Sequence, residues 1–170
     1  LHPLRVTVWC GISADKIYGP YFFQDEDGNA LTVNGERYRA MLENFLFPEL
    51  DNTQEMWFQQ DGATSHTARE TMNLLRTVFG NRIVSRFGNV NWPSRSPDLT
   101  PPDFFLWGYL KDRVYANKPQ GLQQLKDNII NEIITIDQPV LASVMDQVQQ
   151  RAAACKEADG RHLKDIIFKI

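Results

Sequence analysis

The sequence has few cysteines and no long apolar run, and both shortages exclude whole classes of protein. No segment approaches the roughly eighteen consecutive apolar residues of a membrane-spanning helix, so we expect no membrane as a partner. Cys10 and Cys155 are too few and too far apart for a disulfide framework or a zinc cluster. Cysteine usage of this kind favours a reducing compartment.

Glycine- and serine-rich linkers, internal repeats and low-complexity segments are also absent from the 170 residues. The length suits one domain of ordinary size, and the apolar content of 42% can fill a core, which excludes disorder of the whole chain. We therefore predict a single domain over residues 1–170. Because the chain begins with Leu1 and shows no signal-peptide pattern, we interpret it as a segment of a longer protein.

Charge is unevenly distributed along the chain, whose net charge is −3. Residues 1–61 carry four basic and ten acidic side chains, residues 62–97 carry five arginines against Glu70 alone, and residues 98–170 have a net charge of −1. A polyanion needs positive charge at the place where it binds, not a positive total. The middle zone is therefore either a phosphate-binding stripe or a set of solvated arginines, and charge alone favours the second interpretation.

Hydrophobic periodicity predicts four strands and five helices, with Asn34 as the N-cap of the first helix. The strands span residues 4–12, 17–23, 55–60 and 82–87, and the helices span residues 34–47, 66–79, 103–114, 123–136 and 139–158. The first two strands predict a hairpin, and the segment HLKDIIF predicts a short terminal strand or an extended arm. This order is typical of an α/β fold with a mixed sheet flanked by helices.

Two segments carry an aspartate where a functional group would be well displayed. In FQQDGATSH, Asp61 follows a predicted strand and precedes a glycine turn. In SPDLTPPDFFLWG, Asp103 stands where a stiff proline-rich loop enters an aromatic helix. Carboxylates on rigid supports can hold Mg²⁺, and a pair of such ions promotes phosphodiester cleavage. Taken singly, Asp61 is better explained as a turn residue and Asp103 as a helix N-cap.

Longer segments around both aspartates make the chain recognisable. They are VTVWCGIS, NGERYRAMLENFLFPEL, WFQQDGATSHTA and WPSRSPDLTPPDFFLWGYLKDRVY, and the tail DGRHLKDIIFKI fits the same pattern. With these segments the chain resembles the catalytic domain of the mariner superfamily of transposases, which belongs to the DDE/D group. The resemblance covers nearly the whole chain and implies an α/β fold of the RNase H-like type, with a mixed sheet flanked by helices.

The resemblance implies that Asp61 is the second catalytic aspartate and Asp103 the third, and that both are metal ligands. The interval between them is 41 residues. This is longer than in mariner elements proper and suggests a divergent branch of the superfamily. Asp98 is the competing candidate for the third ligand. We prefer Asp103 because the family's ligand enters the aromatic helix, whereas SPDL looks like a structural turn.

Several neighbours of these aspartates are candidates for other roles. Trp92 can stack on a base and Arg95 can grip a phosphate, although packing of Trp92 against the core explains it equally well. We interpret His66 as a helix-start residue that hydrogen-bonds the adjacent loop, since Mg²⁺ seldom takes nitrogen ligands. The candidates for nucleic-acid binding are Arg69, Arg86, Trp92, Arg95 and Lys111.

The first aspartate of the family's triad has no counterpart in the sequence. In the family it lies on the first, central strand, ahead of the VTVWCGI strand. The chain has no Asp or Glu before Asp15, which falls in the predicted hairpin turn. We therefore expect the sheet to lack its central strand and this chain alone to be inactive.

The leading hypothesis is a fragment of a DNA transposase catalytic domain. For the intact parent, the resemblance implies phosphodiester hydrolysis and strand transfer at transposon ends, with Mg²⁺ or Mn²⁺ in a two-metal site and no small-molecule cofactor. It further implies the nucleus as location, and transposon terminal repeats, target DNA and a homodimer as partners. The alternative is a catalytically inactive, transposase-derived module for nucleic-acid binding or dimerisation, which the missing carboxylate and the arginine-rich zone motivate.

Overall fold

The computed structural model of the chain contains two compact units, which we describe separately. It describes residues 5–93, 96–160 and 163. The first unit contains the described residues up to Ala30 and from Pro97 onward, and the second unit contains Leu31–Ser96. The partial DDE/D catalytic domain that the resemblance implies over residues 1–170 stays a prediction. The terminal strand or arm predicted in HLKDIIF lies outside the described residues, apart from Leu163.

Strands and helices alternate after an opening hairpin. The strands are β1 (Val8–Ile12), β2 (Ile17–Phe22), β3 (Phe58–Gln59), β4 (Ile83–Ser85) and β5 (Val90–Asn91). The α-helices are α1 (Gly35–Met41), α2 (Thr64–Thr67), α3 (Arg69–Phe79), α4 (Trp107–Arg113), α5 (Leu122–Ile134) and α6 (Gln138–Glu157). Wider π-helical turns cover Leu42–Leu46 and Pro102–Leu106, and 3₁₀ turns cover Phe47–Glu49 and Pro97–Leu99.

The first unit is built on the hairpin and on helices α4, α5 and α6. The turn between β1 and β2 is closed by Ser13, whose hydroxyl accepts a hydrogen bond from the amide of Lys16 at 3.1 Å. Short polar side chains that bond the nearby backbone in this way are typical of tight turns. Apolar side chains of the strands and helices form one core, which contains Cys10, Phe105, Leu106, Leu110, Val114, Leu125, Ile129, Ile133 and Val144.

The second unit places a parallel sheet beside α1 and α3. Its strands follow the order β3-β4-β5, with Phe58 opposite Ile83 and Val84 opposite Val90. Helices α2 and α3 form the connection from β3 to β4 that a parallel pair requires. The ring of Phe79, which is 1% exposed, stacks on Phe58 with centroids 5.0 Å apart and fixes α3 on the sheet.

The helix predicted over residues 66–79 is interrupted at Ala68. This residue has an extended backbone, with ψ of 142°, so α2 ends before it and α3 begins after it. The break frees carbonyl groups that an unbroken helix would bond internally. Side chains take over two of them, because Thr71 donates to the carbonyl of Ser65 at 2.9 Å and Gln60 donates to the carbonyl of His66 at 2.9 Å.

The described strands form two groups rather than one continuous sheet. The pair β1–β2 is antiparallel and the group β3–β4–β5 is parallel, so both kinds of pairing that a mixed α/β fold predicts are present. No described strand joins the two groups.

None of the described helices combines the length and the apolar composition that crossing a lipid bilayer requires.

The two cysteines differ in their surroundings, and their reactivity is expected to differ accordingly. Cys10 is buried in the core of the first unit, and this burial raises the pKa of its thiol to about 12. Cys155, in α6, is half-buried.

Since the thiolate is the reactive form, we predict that a thiol reagent at pH 8 modifies Cys155 alone in the native protein and both cysteines after denaturation. In the control variant Cys155→Ser, native labelling should disappear, and rapid native labelling of this variant would contradict the buried position of Cys10.

Candidate active site

Asp61 lies in the loop that follows β3, with its side chain 49% exposed. One carboxylate oxygen, Oδ1, lies 2.5 Å from Nδ1 of His66 and 3.1 Å from the backbone nitrogen of Ala63. Because a carboxylate only accepts hydrogen bonds, Nδ1 of His66 carries the proton in this contact. Among the described residues, none donates a hydrogen bond to the second oxygen, Oδ2, which is available to a ligand.

These contacts favour the ionised form of Asp61. The hydrogen bond from His66 is the largest influence, and it holds the pKa of the Asp61 carboxyl below its ordinary value. Partial burial acts in the opposite direction, while the amide of Ala63 and the charge interaction with His66 add to the lowering. The carboxylate is therefore negative over the physiological pH range, as a ligand for a cation must be.

His66 is held from two sides. Its ring lies against the ring of Tyr38, with centroids 4.3 Å apart and planes inclined by 33°. Its backbone carbonyl accepts the hydrogen bond from Gln60 that compensates the helix break. The interpretation of His66 as a residue that bonds the adjacent loop is confirmed, since its partner Asp61 belongs to that loop.

The side chain of Gln60 connects His66, the partner of Asp61, to the sheet. This side chain is only 5% exposed. Its Oε1 accepts a hydrogen bond from the hydroxyl of Tyr38 at 3.0 Å, and its Nε2 lies 3.3 Å from the hydroxyl oxygen of Ser85 and 3.5 Å from the sulfur of Met72. A buried amide is tolerated when its donors and acceptors are satisfied in this way.

Asp103 lies in the first unit, in the π-helical turn Pro102–Leu106. Its amide donates to the carbonyl of Thr100 at 2.9 Å, and its side chain is exposed. Phe105 and Leu106 of the same turn are buried, with 7% and 0% exposure. These two apolar side chains anchor the turn, so the carboxylate of Asp103 is displayed from a fixed backbone.

Asp98 occupies a different environment from Asp103. Its carboxylate accepts a hydrogen bond from the amide of Leu163 at 3.4 Å, and its carbonyl accepts one from the guanidinium of Arg151 at 3.1 Å. The guanidinium also lies over the ring of Phe104, 4.0 Å from the centroid. Asp98 thereby links the SPDL turn to α6, as a structural residue does. The assignment of Asp103, rather than Asp98, as the third ligand stays a prediction.

The donor chemistry of Asp61 and Asp103 fits a divalent cation. Both side chains are exposed carboxylates, which Mg²⁺ and other hard cations prefer. Within the described part of the chain, no group of three or more His, Cys, Asp or Glu residues is arranged to hold a metal. Mg²⁺ usually takes only one or two protein carboxylates and completes its shell with water and substrate phosphate.

The candidates for nucleic-acid binding have different surroundings. Arg69, Arg86 and Lys111 are exposed. Trp92 is half-buried, and its indole Nε1 is buried without a hydrogen-bond partner among the described residues. Arg95 lies outside the described residues. The alternatives of base stacking and core packing for Trp92 both stay open.

Two other arginines of the zone 62–97 serve the fold. Arg82 donates to the carbonyl of Thr53 at 2.9 Å and to that of Met56 at 3.2 Å, and it thereby holds the loop before β3. Arg76 donates to the carbonyl of Phe87 at 3.0 Å. The zone therefore contains two arginines that bond the fold, Arg76 and Arg82, and two candidates for DNA binding, Arg69 and Arg86. The sequence alone could not separate these two kinds.

The sequence did not single out Tyr38, Gln60 or Phe87. Tyr38 matches the apolar spacing of α1 and gives no sign of a polar partner. Gln60 is a glutamine directly before the motif aspartate, which is a weak signal that only its burial makes meaningful. Phe87 is 54% exposed, with the guanidinium of Arg86 5.2 Å from its ring centroid. A phenylalanine flanked by arginine and glycine could have drawn attention as a surface aromatic residue.

Comparison with known proteins shows which proteins the chain is similar to. No family model matches the chain. The chain is similar to the Tc3 transposase of Caenorhabditis elegans, with 31% identity over 123 residues, and to the Tcb2 transposase of Caenorhabditis briggsae, with 25% identity over 135 residues. These matches cover 70% and 73% of this chain but only 35% and 46% of those proteins, so the chain spans less than half the length of either relative.

Solved structures show the same fold. The catalytic domain of Mos1 mariner transposase superposes with a TM-score of 0.77 at 18% identity, covering 96% of this chain and 78% of that chain. A structure of that domain with Raltegravir and Mn also gives a TM-score of 0.77, at 19% identity, covering 94% and 78%. The chain thus has the RNase H-like α/β fold of a transposase catalytic domain, and this prediction is confirmed. It is homologous to the Tc1/mariner transposases.

We predict that His66→Ala raises the pKa of the Asp61 carboxyl towards its ordinary value, because it removes the main hydrogen bond to the ionised form. Because the native pKa is lowered, the stabilisation from this bond is present at neutral pH and is lost as the pH falls through that pKa. A ¹³C NMR titration of the carboxyl measures the change.

Asp25 provides the internal control for this titration. The pKa of its carboxyl is also lowered, mainly by the backbone amide of Asn29, so it should titrate identically in both proteins. An unchanged titration of Asp61 in His66→Ala would show that the contact with His66 does not govern its ionisation.

Proposed function

We propose that the chain is the part of a DNA transposase catalytic domain that holds the second and third catalytic aspartates, Asp61 and Asp103. The observation that carries the proposal is the position of Asp61 after the parallel strand β3. Its Oδ1 accepts hydrogen bonds from His66 and Ala63, whereas its Oδ2 accepts none from the described residues. The transposases among the relatives support the reaction class. The relatives are much longer than the chain, which supports a role as part of a larger transposase.

The chain's own residues would prepare the carboxylates for metal binding. Divalent metal bound to these carboxylates would supply activation of the attacking oxygen and stabilisation of the leaving oxygen of a DNA phosphodiester, as two-metal sites do. His66 orients Asp61 and leaves Oδ2 to coordinate. The buried anchors Phe105 and Leu106 fix the backbone that carries Asp103. Mg²⁺ and Mn²⁺ are the proposed metals, and both occur in structures of the Mos1 catalytic domain.

DNA is the proposed partner. Mos1 transposase has been solved in a paired-end complex and in a strand transfer complex, which supports transposon ends and target DNA as substrates and a homodimer as the working assembly. We place the reaction in the nucleus, where chromosomal DNA is found. Among the predicted nucleic-acid-binding residues, Arg69, Arg86 and Lys111 are exposed cations that can contact phosphates.

The cleavage test uses the chain extended upstream to include the first aspartate of the triad. We expect Mg²⁺- or Mn²⁺-dependent nicking at transposon ends, and a loss of more than about 100-fold in Asp61→Asn and in Asp103→Asn, since even partners outside the metal's first shell contribute about 10–100-fold. Asp98→Asn is the matched control and should retain activity, because an asparagine oxygen can still accept from Leu163. Full cleavage by Asp61→Asn or Asp103→Asn would overturn the proposal.

DNA binding by the arginine-rich zone is tested separately on the 170-residue chain. If Arg69 and Arg86 each neutralise one phosphate, the double variant Arg69→Gln/Arg86→Gln should bind duplex DNA more weakly. The negative slope of log K against log salt concentration should become less steep by about 1.8. Lys156→Gln, an exposed cation outside the zone, is the control and should leave the slope unchanged. Equal slopes for the double variant and the wild type would exclude these two arginines as phosphate contacts.

A further inference from the structure

The structure surrounds Asp61 with a chain of contacts that reaches well beyond its own loop. We propose that Tyr38 and Gln60 are positioning residues for Asp61, that they act through His66, and that they fix which carboxylate oxygen faces the metal; this inference rests on the proposed function. The two residues lie 22 positions apart in sequence and belong to α1 and to the end of β3. Neither belongs to the set of carboxylates that defines the family's chemistry.

The first step concerns the orientation of the carboxylate. A side chain that is 49% exposed in a loop would ordinarily sample several rotamers. The described hydrogen bonds to Asp61 both go to the same oxygen, Oδ1, one from His66 and one from the amide of Ala63. The pair of bonds restrains the rotamer, and Oδ2 accepts no hydrogen bond from a described residue.

The second step concerns His66, which can hold Asp61 only if its own ring is held. The ring of Tyr38 is 1% exposed and lies 4.3 Å from the imidazole centroid, so it supplies a fixed wall. Gln60 fixes the backbone of His66 through the hydrogen bond from Nε2 to its carbonyl at 2.9 Å. Ring and backbone are therefore restrained by different residues.

The third step links these two restraints. The hydroxyl of Tyr38 donates to Oε1 of Gln60 at 3.0 Å, which directs the amide nitrogen towards His66. The hydroxyl of Ser85, on β4, lies 3.3 Å from the same nitrogen and ties the amide to the sheet. A rotation of the Gln60 amide would break bonds to three elements at once, so the orientation of Asp61 is set from the core.

Four variants test the inference. Gln60→Met keeps the size of the side chain and removes its hydrogen bonds to Tyr38, His66 and Ser85. Tyr38→Leu removes the ring and the hydroxyl, and Tyr38→Phe removes the hydroxyl alone. Phe79→Leu is the matched control, because it alters a buried aromatic side chain of the same unit. The ring of Phe79 contacts Phe58, and none of its described ring contacts is with Tyr38, Gln60, His66 or Asp61.

The first readout needs neither metal nor activity. In the 170-residue chain, the ring current of Tyr38 shifts the ring-proton resonances of His66, since the two rings lie in contact. We expect these resonances to move in Tyr38→Leu and Gln60→Met, to stay close to wild type in Tyr38→Phe, and to be unaffected in Phe79→Leu. Wild-type His66 resonances in both Tyr38→Leu and Gln60→Met would overturn the inference.

The second readout is DNA cleavage by the chain extended upstream. We expect Gln60→Met and Tyr38→Leu to lower kcat by about 10–100-fold, the range found for residues that orient metal ligands, and to leave KM for DNA unchanged. Tyr38→Phe should lose less than about tenfold, since it keeps the wall behind His66. If Tyr38→Leu does not fold, Gln60→Met decides the result.

The outcomes separate this inference from the proposed function. Cleavage by Asp61→Asn at the wild-type rate would overturn the proposed function itself. Loss of cleavage in Asp61→Asn together with wild-type kcat in Gln60→Met would overturn only the positioning role. An equal fall in kcat in Phe79→Leu and Gln60→Met would also overturn it, since the effect would then follow from a weakened core.

Discussion

The buried amide of Gln60 is the constraint around which the second unit is arranged. Its backbone amide pairs with β4 through the carbonyl of Val84 at 3.0 Å, while its side chain reaches Tyr38, His66, Ser85 and Met72. A buried polar group that loses its partner costs about 1–3 kcal/mol, and removal of the Gln60 amide would remove the hydrogen bonds to the Tyr38 hydroxyl and to the His66 carbonyl together. The interruption of the helix at Ala68 is tolerable because Gln60 and Thr71 take over the exposed carbonyls.

The two candidate aspartates are held by different kinds of force. Asp61 is oriented by directional hydrogen bonds that end in a satisfied polar network. Asp103 is carried by a backbone turn that is fastened by its apolar neighbours, Phe105 and Leu106. Hydrogen bonds are directional and fix the orientation of a side chain, whereas apolar burial is non-directional and fixes the position of a segment.

The sequence predicted the elements that have strong periodicity. Helices α5 and α6 were predicted over residues 123–136 and 139–158 and end within one or two residues of those limits, because long amphipathic patterns report their own extent. The two-residue strand β5 was missed, since its pairing with β4 is a contact between separate segments. The break of the helix at Ala68 was missed because it is compensated by Gln60, which belongs to a separate segment.

The candidate site was predictable to a similar extent. The motifs made Asp61 and Asp103 candidates, and their catalytic role stays a prediction. The predicted bond from His66 to the adjacent loop is confirmed. Tyr38 could not be assigned from its position, because a tyrosine at an apolar helix position is equally consistent with simple packing. Its partner Gln60 lies 22 residues away, and only the folded chain brings the two together.

The π-helical turn Pro102–Leu106 has a consequence for how relatives of this chain are compared. A π-helical turn holds one residue more than an α-helical turn, and such turns commonly arise as single bulges within α-helices. A relative with one residue fewer at this point can close an ordinary α-helical turn and keep the flanking segments in place. A difference of one residue between relatives within the segment Pro102–Leu106 therefore measures the width of a helical turn, and it is a poor measure of evolutionary distance.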